Sequence, residues 1–132
     1  MNVLLSMKPK HAENILNGLK LYEFRKNIFR RNDYEKVLIY SSSPVKKLVG
    51  FFIVGKIIEE HPIVLWEQLN QFSGLTEKEF FEYFKNHKKG YAIEIKQAVK
   101  FNDPIEPIEI LPNFMAPQSF CYIEDLTFKK EG

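Results

Sequence analysis

The chain has one cysteine, Cys121, and one tryptophan among its 132 residues. A single thiol excludes an intramolecular disulfide framework. Cys121 stands between Phe120 and Tyr122, with no base or helix start beside it, so it is expected to be a small buried apolar residue rather than a reactive thiol. Histidine is also scarce. His61 and His87 read as boundary residues, no two histidines share a ligand-like spacing, and no Cys-x-x-Cys occurs, so neither a metal site nor a cofactor is expected. No apolar run approaches the ~20 residues that cross a bilayer. The stretch from Met1 to Met7 has no charged lead-in and is too short for a signal peptide. The expectation is a cytoplasmic protein with no membrane partner. Internal repeats, low-complexity linkers and signs of a second domain are missing as well.

What is present suits one domain over residues 1–132, with a charged tail from about Asp125 that is expected to be loose. The 45% apolar and 27% charged content is ordinary for a globular chain, while twelve Phe and six Tyr favour a small curled sheet. The formal charge of +2 is unevenly distributed. The first 31 residues carry seven bases and two acids, a net +5, and the remainder carries a net −3. Such segregation marks either a solvated basic face or a place for an anionic partner.

Taken in order, Val3–Ser6 is a short strand, and Pro9 follows where a helix's first turn needs no donor. Ala12, Ile15, Leu16 and Leu19 form one helical stripe, and Asn17-Gly18 ends it. Lys8 and Lys10 sit at the helix start, where the dipole disfavours cations, which suggests an anionic ligand there. Leu21–Lys26 is a second strand. A loop with Arg30 and Arg31 at its tip follows, then strand Val37–Tyr40. Ser41-Ser42-Ser43-Pro44 serves as a turn, or offers hydroxyls to a base or phosphate. Leu48–Ile58 is a long strand bent at two glycines. Ile63–Phe72 reads as a helix with Trp66 and Leu69 inward. Thr76 and Glu79 form a capping box with Leu75 and Phe80 as its hydrophobic staple, opening a second helix whose apolar side is Phe80, Phe81, Tyr83 and Phe84. Gly90–Lys96 is a half-buried strand that can run on through Phe101. Pro104, Pro107 and Pro112 space an extended path to a last strand at Pro117–Ile123. The order implies a mixed α+β domain built round a small β-barrel, with one N-terminal helix and a central helical pair.

The most unusual stretch is Gly18-Leu19-Lys20-Leu21-Tyr22-Glu23-Phe24-Arg25. Strand alternation puts Glu23 and Arg25 on one face. They are either an exposed ion pair or the lining of a polar cleft, because burying charge unpaired is costly. Together with Leu5–Asn17, this stretch resembles the ASCH domain of the PUA-like superfamily. Gly18, Lys20, Glu23 and Arg25 match the family's Gly-x-Lys-x-x-Glu-x-Arg motif at each fixed position. Gly90-Tyr91-Ala92-Ile93 and Pro117–Tyr122 look like the family too, and the resemblance covers roughly residues 3 to 123. It implies a PUA-like barrel with a cleft beside the first helix. It also implies a partner that is RNA, or a modified nucleobase or nucleotide, in transcription or RNA metabolism. Family members described as predicted transcriptional regulators carry a helix-turn-helix, which this chain lacks.

The leading expectation is an RNA- or nucleotide-binding module. Lys8, Lys10, Lys20, Arg30 and Arg31 would meet phosphates. Arg25, oriented by Glu23, would present its fork to a phosphate or base edge. Tyr40 or Tyr22 would stack a base, with Ser41 and Ser42 adding hydrogen bonds. A variant of this reading is a module that senses one small nucleotide. The rival is a hydrolase. Cleavage of RNA would use Lys20 as base, Glu23 as acid and Arg25 as clamp. Similar small proteins deacetylate N4-acetylcytidine with a lysine, a threonine and a glutamate. Lys20 keeps the lysine, but Glu23 stands at the threonine position, and no acid occurs near Ser73-Gly74 where the carboxylate belongs.

Overall fold

Val3, Leu5 and Met7 alternate with Leu4 along the first strand, and both sets are buried, in separate cores on the two faces of one sheet. This computed structural model describes residues 1–124, so the tail expected to be loose from about Asp125 falls outside the described residues. The elements are β1 (Asn2–Met7), α1 (Pro9–Leu16), β2 (Tyr22–Arg25), β3 (Val37–Ser41), β4 (Lys47–Glu60), α2 (Pro62–Leu69), α3 (Glu77–Tyr83), β5 (Gly90–Ile105), α4 (Pro107–Ile110) and β6 (Phe120–Ile123). All six strands join one sheet in the order β2-β5-β4-β3-β1-β6. Strands β1 and β3 run parallel and every other neighbouring pair is antiparallel. The sheet curls into a PUA-like half-barrel, with the N-terminal helix and the central helical pair that the sequence implies.

The curl is built into the β4–β5 ribbon. Its register shifts between Leu48 and Gly50 and again between Ile53 and Ile57, around the two glycines. At Gly50 a Cβ would fall 2.4 Å from the Val99 carbonyl oxygen and 2.7 Å from a Leu16 methyl, so only glycine lets α1 lie this close to the ribbon. Helix α1 inserts Ala12 and Ile15 into the core formed with Val3, Leu5, Ile39, Phe52 and Ile93.

The helical pair covers the opposite face of β2 and β5. Thr76 accepts from Glu79 N at 3.1 Å while Glu79 accepts from Thr76 N at 2.9 Å, so the expected capping box opens α3. His61 caps α2 by accepting from Ile63 N at 3.1 Å. Phe80 is the centre of this layer, its ring centroid 5.2 Å from Phe24, 5.1 Å from Trp66 and 4.9 Å from Phe84.

Three local expectations shift. Helix α1 stops at Leu16, and Leu19 is exposed, because Asn14 O takes both Leu19 N and Lys20 N while Gly18 turns left-handed at φ 79°. Asn70–Phe72 is a 3-10 turn rather than the end of α2. Pro107 opens the one-turn helix α4 in place of an extended path. No helix among the described residues is long and apolar enough to cross a membrane.

Phe80→Ala removes a fully buried ring and leaves a cavity among four aromatic neighbours. A loss of about 3–5 kcal/mol is expected in urea unfolding. A loss below about 1 kcal/mol would mean that the layer collapses to fill the space.

Candidate functional site

Glu23 stands directly opposite Ile93 across the β2–β5 ladder. Opposed residues share a face, and Ile93 belongs to the core beneath α1. Glu23 and Arg25 therefore enter the inside of the curl, while Phe24 turns outward to the core of α2 and α3. Of the two arrangements open to them, exposed pair or buried lining, they adopt burial, at 6% and 9% exposure.

Arg25 donates to Glu23 Oε2 from Nε at 2.9 Å and from Nη2 at 2.7 Å. Nη2 also reaches Ser6 O at 2.9 Å, and Nη1 reaches Ser119 Oγ at 3.3 Å. Ser6 lies in β1, and its N–H donates to Ser119 O just ahead of β6 at 2.9 Å. Strands β2 and β6 end the sheet on opposite sides. One guanidinium thus bridges two edges that the backbone ladder leaves apart. This corrects the expectation that Arg25 offers an open fork to a ligand, since each of its three nitrogens already has a protein acceptor.

Lys20 is buried at 1% exposure. Its Nζ donates to the Ser73 carbonyl and stands 3.9 Å from Glu23 Oε1. The turn that supplies this carbonyl is tied by Ser73 Oγ, which donates to Asn70 O at 2.9 Å and accepts from Leu75 N at 3.1 Å. Gly74, at φ 67°, lies over the lysine stem, where a Cβ would come within 3.2 Å of Lys20 Cβ. The cluster therefore holds two cations and one carboxylate in a dry setting. Burial lowers the Lys20 pKa from its usual value, with Glu23 opposing. Burial alone would raise the Glu23 carboxyl, but Arg25 and then Lys20 outweigh it and leave the carboxyl below its usual range. Glu23 is thus held toward its ionised form, in which it accepts protons and hydrogen bonds rather than donating them.

His11 lies on the first turn of α1, near enough to Lys20 and Glu23 for both to act on its charge. Its Nδ1 is buried without a hydrogen-bond partner among the described residues. Burial first, and Lys20 second, lower its pKa, against a smaller opposing pull from Glu23. At the surface beside it, Lys10 Nζ pairs with Glu79 Oε2 at 3.0 Å and joins the starts of α1 and α3. The Thr76 N–H and then Lys10 hold the Glu79 carboxyl down to about 2.

The other expected site residues lie elsewhere. Lys8 is exposed just before α1. Arg30 and Arg31 are exposed on the loop before β3, their N–H groups donating to Tyr122 Oη at 3.1 and 3.2 Å. The Arg31 guanidinium is paired with Asp33 at 2.6 Å. Tyr40 is buried, with its ring 5.2 Å from Phe114, so it has no free face on which to stack a base. Tyr22 keeps a half-exposed ring 6.4 Å from the exposed Phe72. Ser41 is buried in β3, and Ser42 serves the turn, donating its N–H to Met7 O at 2.8 Å. Among the described residues, none of the cluster's hydrogen bonds involves these side chains.

Sequence reasoning missed His11, Ser6 and Ser119, and it did not place the Ser73 carbonyl on Lys20. A signal for His11 existed: it lies four residues before Ile15, on the edge of the stripe that α1 buries.

A PUA-like half-barrel whose seam is closed by a buried Lys–Glu–Arg cluster under the first helix defines the class. The ASCH domain model matches residues 5–105, and the chain belongs to that family. A protein of Zymomonas mobilis named ASCH domain-containing ribonuclease is 29% identical over 126 residues, covering 91% of this chain and 82% of that one. The crystal structure of ASCH from Zymomonas mobilis superposes with a TM-score of 0.90 at 27% identity, covering 98% of this chain and 92% of its own. A protein of Ureaplasma parvum named ATP synthase subunit alpha is 29% identical over 123 residues, 92% of this chain but only 15% of that protein.

Arg25→Met removes both hydrogen bonds to the buried Glu23 carboxylate and leaves only Lys20, 3.9 Å away, opposite it, and should cost about 3–5 kcal/mol in urea unfolding. The pair Glu23→Gln with Arg25→Met should recover part of that loss. Because the Glu23 carboxyl lies below its ordinary 4.5 when folded, its stabilisation is complete above that pH and fades as pH falls through the folded value. Acid titrations of Glu23→Gln should show a shallower loss of stability below about pH 4.5.

Proposed function

We propose that this chain is an RNA- or nucleotide-binding module whose ligand phosphates meet the seam beneath the first turn of α1. The observation that carries this reading is the buried cluster of Lys20, Glu23 and Arg25, where two cations face one carboxylate. An anion arriving there answers an uncompensated positive charge in a medium that screens little. Lys8 stands exposed at the same helix start, and Tyr22 with Phe72 offers an aromatic surface beside the turn that holds Lys20. Family membership and the name of the Zymomonas relative, a ribonuclease, both favour RNA. The setting this implies is RNA metabolism, or transcription, in the cytoplasm.

The relative's name also favours a second reading, hydrolysis of RNA. In that case Arg25 favours the ionised form of Glu23, which opposes its use as an acid, and burial of Lys20 favours its use as the proton acceptor. Deacetylation of N4-acetylcytidine draws no support, because the residue at the threonine position is a carboxylate already bonded twice to Arg25.

Fluorescence anisotropy with a short single-stranded RNA at two salt concentrations tests the proposal. Binding should weaken steeply as salt rises, and Lys8→Ala with Lys20→Met should weaken it by about tenfold at fixed salt. Variants whose circular dichroism is unchanged, yet which bind as wild type, would sink the assignment. Gel analysis of the same mixtures separates the readings: intact RNA marks a binder, and shortened RNA a hydrolase.

A further inference from the structure

We propose that His11 is the proton-controlled phosphate contact of this site, uncharged in the free protein and charged when a phosphate group occupies the seam. This rests on the reading above and assigns a role to one atom. A buried polar atom without a partner needs an explanation, because leaving it unmade forfeits its solvation. Nδ1 of His11 is such an atom among the described residues, carried by a helix whose next turns are locked in the core through Ala12 and Ile15, and near enough to Lys20 and Glu23 for both to act on its charge.

Four charges act on it. Lys10, on its own helix, and Lys20, on the turn that follows, disfavour a second proton. Glu23 on β2 and Glu79 at the start of α3 favour one. Each acid is already committed, Glu23 to Arg25 and Glu79 to Lys10 and the Thr76 N–H, so burial and Lys20 prevail and the free imidazole stays neutral at neutral pH. A phosphate oxygen in the seam reverses the balance. It offsets Lys20 and gives an imidazolium N–H an acceptor, so the proton becomes favourable once the anion is present.

The sign follows from linkage. A group that gains a proton on binding makes affinity rise as pH falls, from the bound-state pKa down to the free-state pKa, and flat outside that window. The gain is about tenfold for each unit by which phosphate raises the His11 pKa.

The probe is a short oligouridylate, whose phosphodiesters keep one charge throughout, titrated at about pH 8 and about pH 5.5. Wild-type affinity should rise by about tenfold or more toward acid, while His11→Gln should bind with a nearly flat profile. His61 and His87 remain in both proteins and serve as the control. Equal acid gains in the two proteins would overturn the His11 assignment and leave RNA binding intact. Absence of oligouridylate binding at every pH would overturn the RNA reading instead. The imidazole NMR signal of His11 then decides separately: a pKa that climbs on adding inorganic phosphate sustains the assignment, and one that stays fixed ends it.

Discussion

The Arg25 guanidinium is the piece on which the rest of the structure depends. A sheet curled this far brings its first and last strands near each other, yet the β2 and β6 edges are not neighbours in the hydrogen-bond ladder. Arg25 spans the gap with a fork that matches Glu23 on its own strand and reaches Ser6 O and Ser119 Oγ on the other side. Its planar geometry suits this better than a lysine, which offers a point charge and no fixed fork. A buried ion pair of this kind adds little over an apolar replacement, because both ions lose their hydration. What it secures is position. Ser6, Ser119 and β2 are held in one register, and the charges stay where solvent cannot dilute them.

Lys20 extends the same logic to the helical layer. Its ammonium is satisfied by the Ser73 carbonyl, at the turn between α2 and α3. That turn is itself fixed by the Ser73 hydroxyl and by Leu21 N donating to Phe72 O at 2.9 Å. The capping box then sets the first turn of α3, and Glu79, having capped it, reaches Lys10 on α1. A chain of polar contacts therefore runs from β6 through Arg25, Glu23 and Lys20 to α3 and back to the start of α1. The aromatic layer around Phe80 supplies the rigidity behind it. The seam is the place where three layers meet, and above it, on the first turn of α1, His11 Nδ1 is buried without a hydrogen-bond partner among the described residues.

How much of this was legible follows from the range of the interactions. Local signals read well. The Pro9 start, the Gly18 stop, the Thr76–Glu79 capping box and the glycine bends of β4 each depend on residues a few places apart. The family motif put Lys20, Glu23 and Arg25 on the page from sequence alone. Their surroundings were not readable, because the partners are distant in the chain: Lys20 reaches a carbonyl 53 residues on, and Arg25 a hydroxyl 94 residues on. The same distance misled the expectation for Tyr40. Its strand faces alternate correctly, but Phe114 arrives from the far end of the chain to cover the ring. Leu19 continues a helical stripe on paper, and the left-handed Gly18 ends the helix before that stripe can matter.

The charge asymmetry of the sequence changes meaning once it is folded. The +5 of the first 31 residues suggests a broad basic face. In the fold, Arg25 is answered by Glu23, Lys10 by Glu79 from the acidic part of the chain, and Arg31 by Asp33. Exposed pairs such as these last two still mute a long-range field, even though each contributes little to stability. The positive charge that persists in a low-dielectric place is the surplus of the seam, with Lys8 exposed just ahead of α1. A field that local attracts a few phosphates closely rather than many at a distance. On the reading proposed, recognition is then of a nucleotide, or of a short reach of RNA held at one point, with a salt dependence set by a small number of contacts.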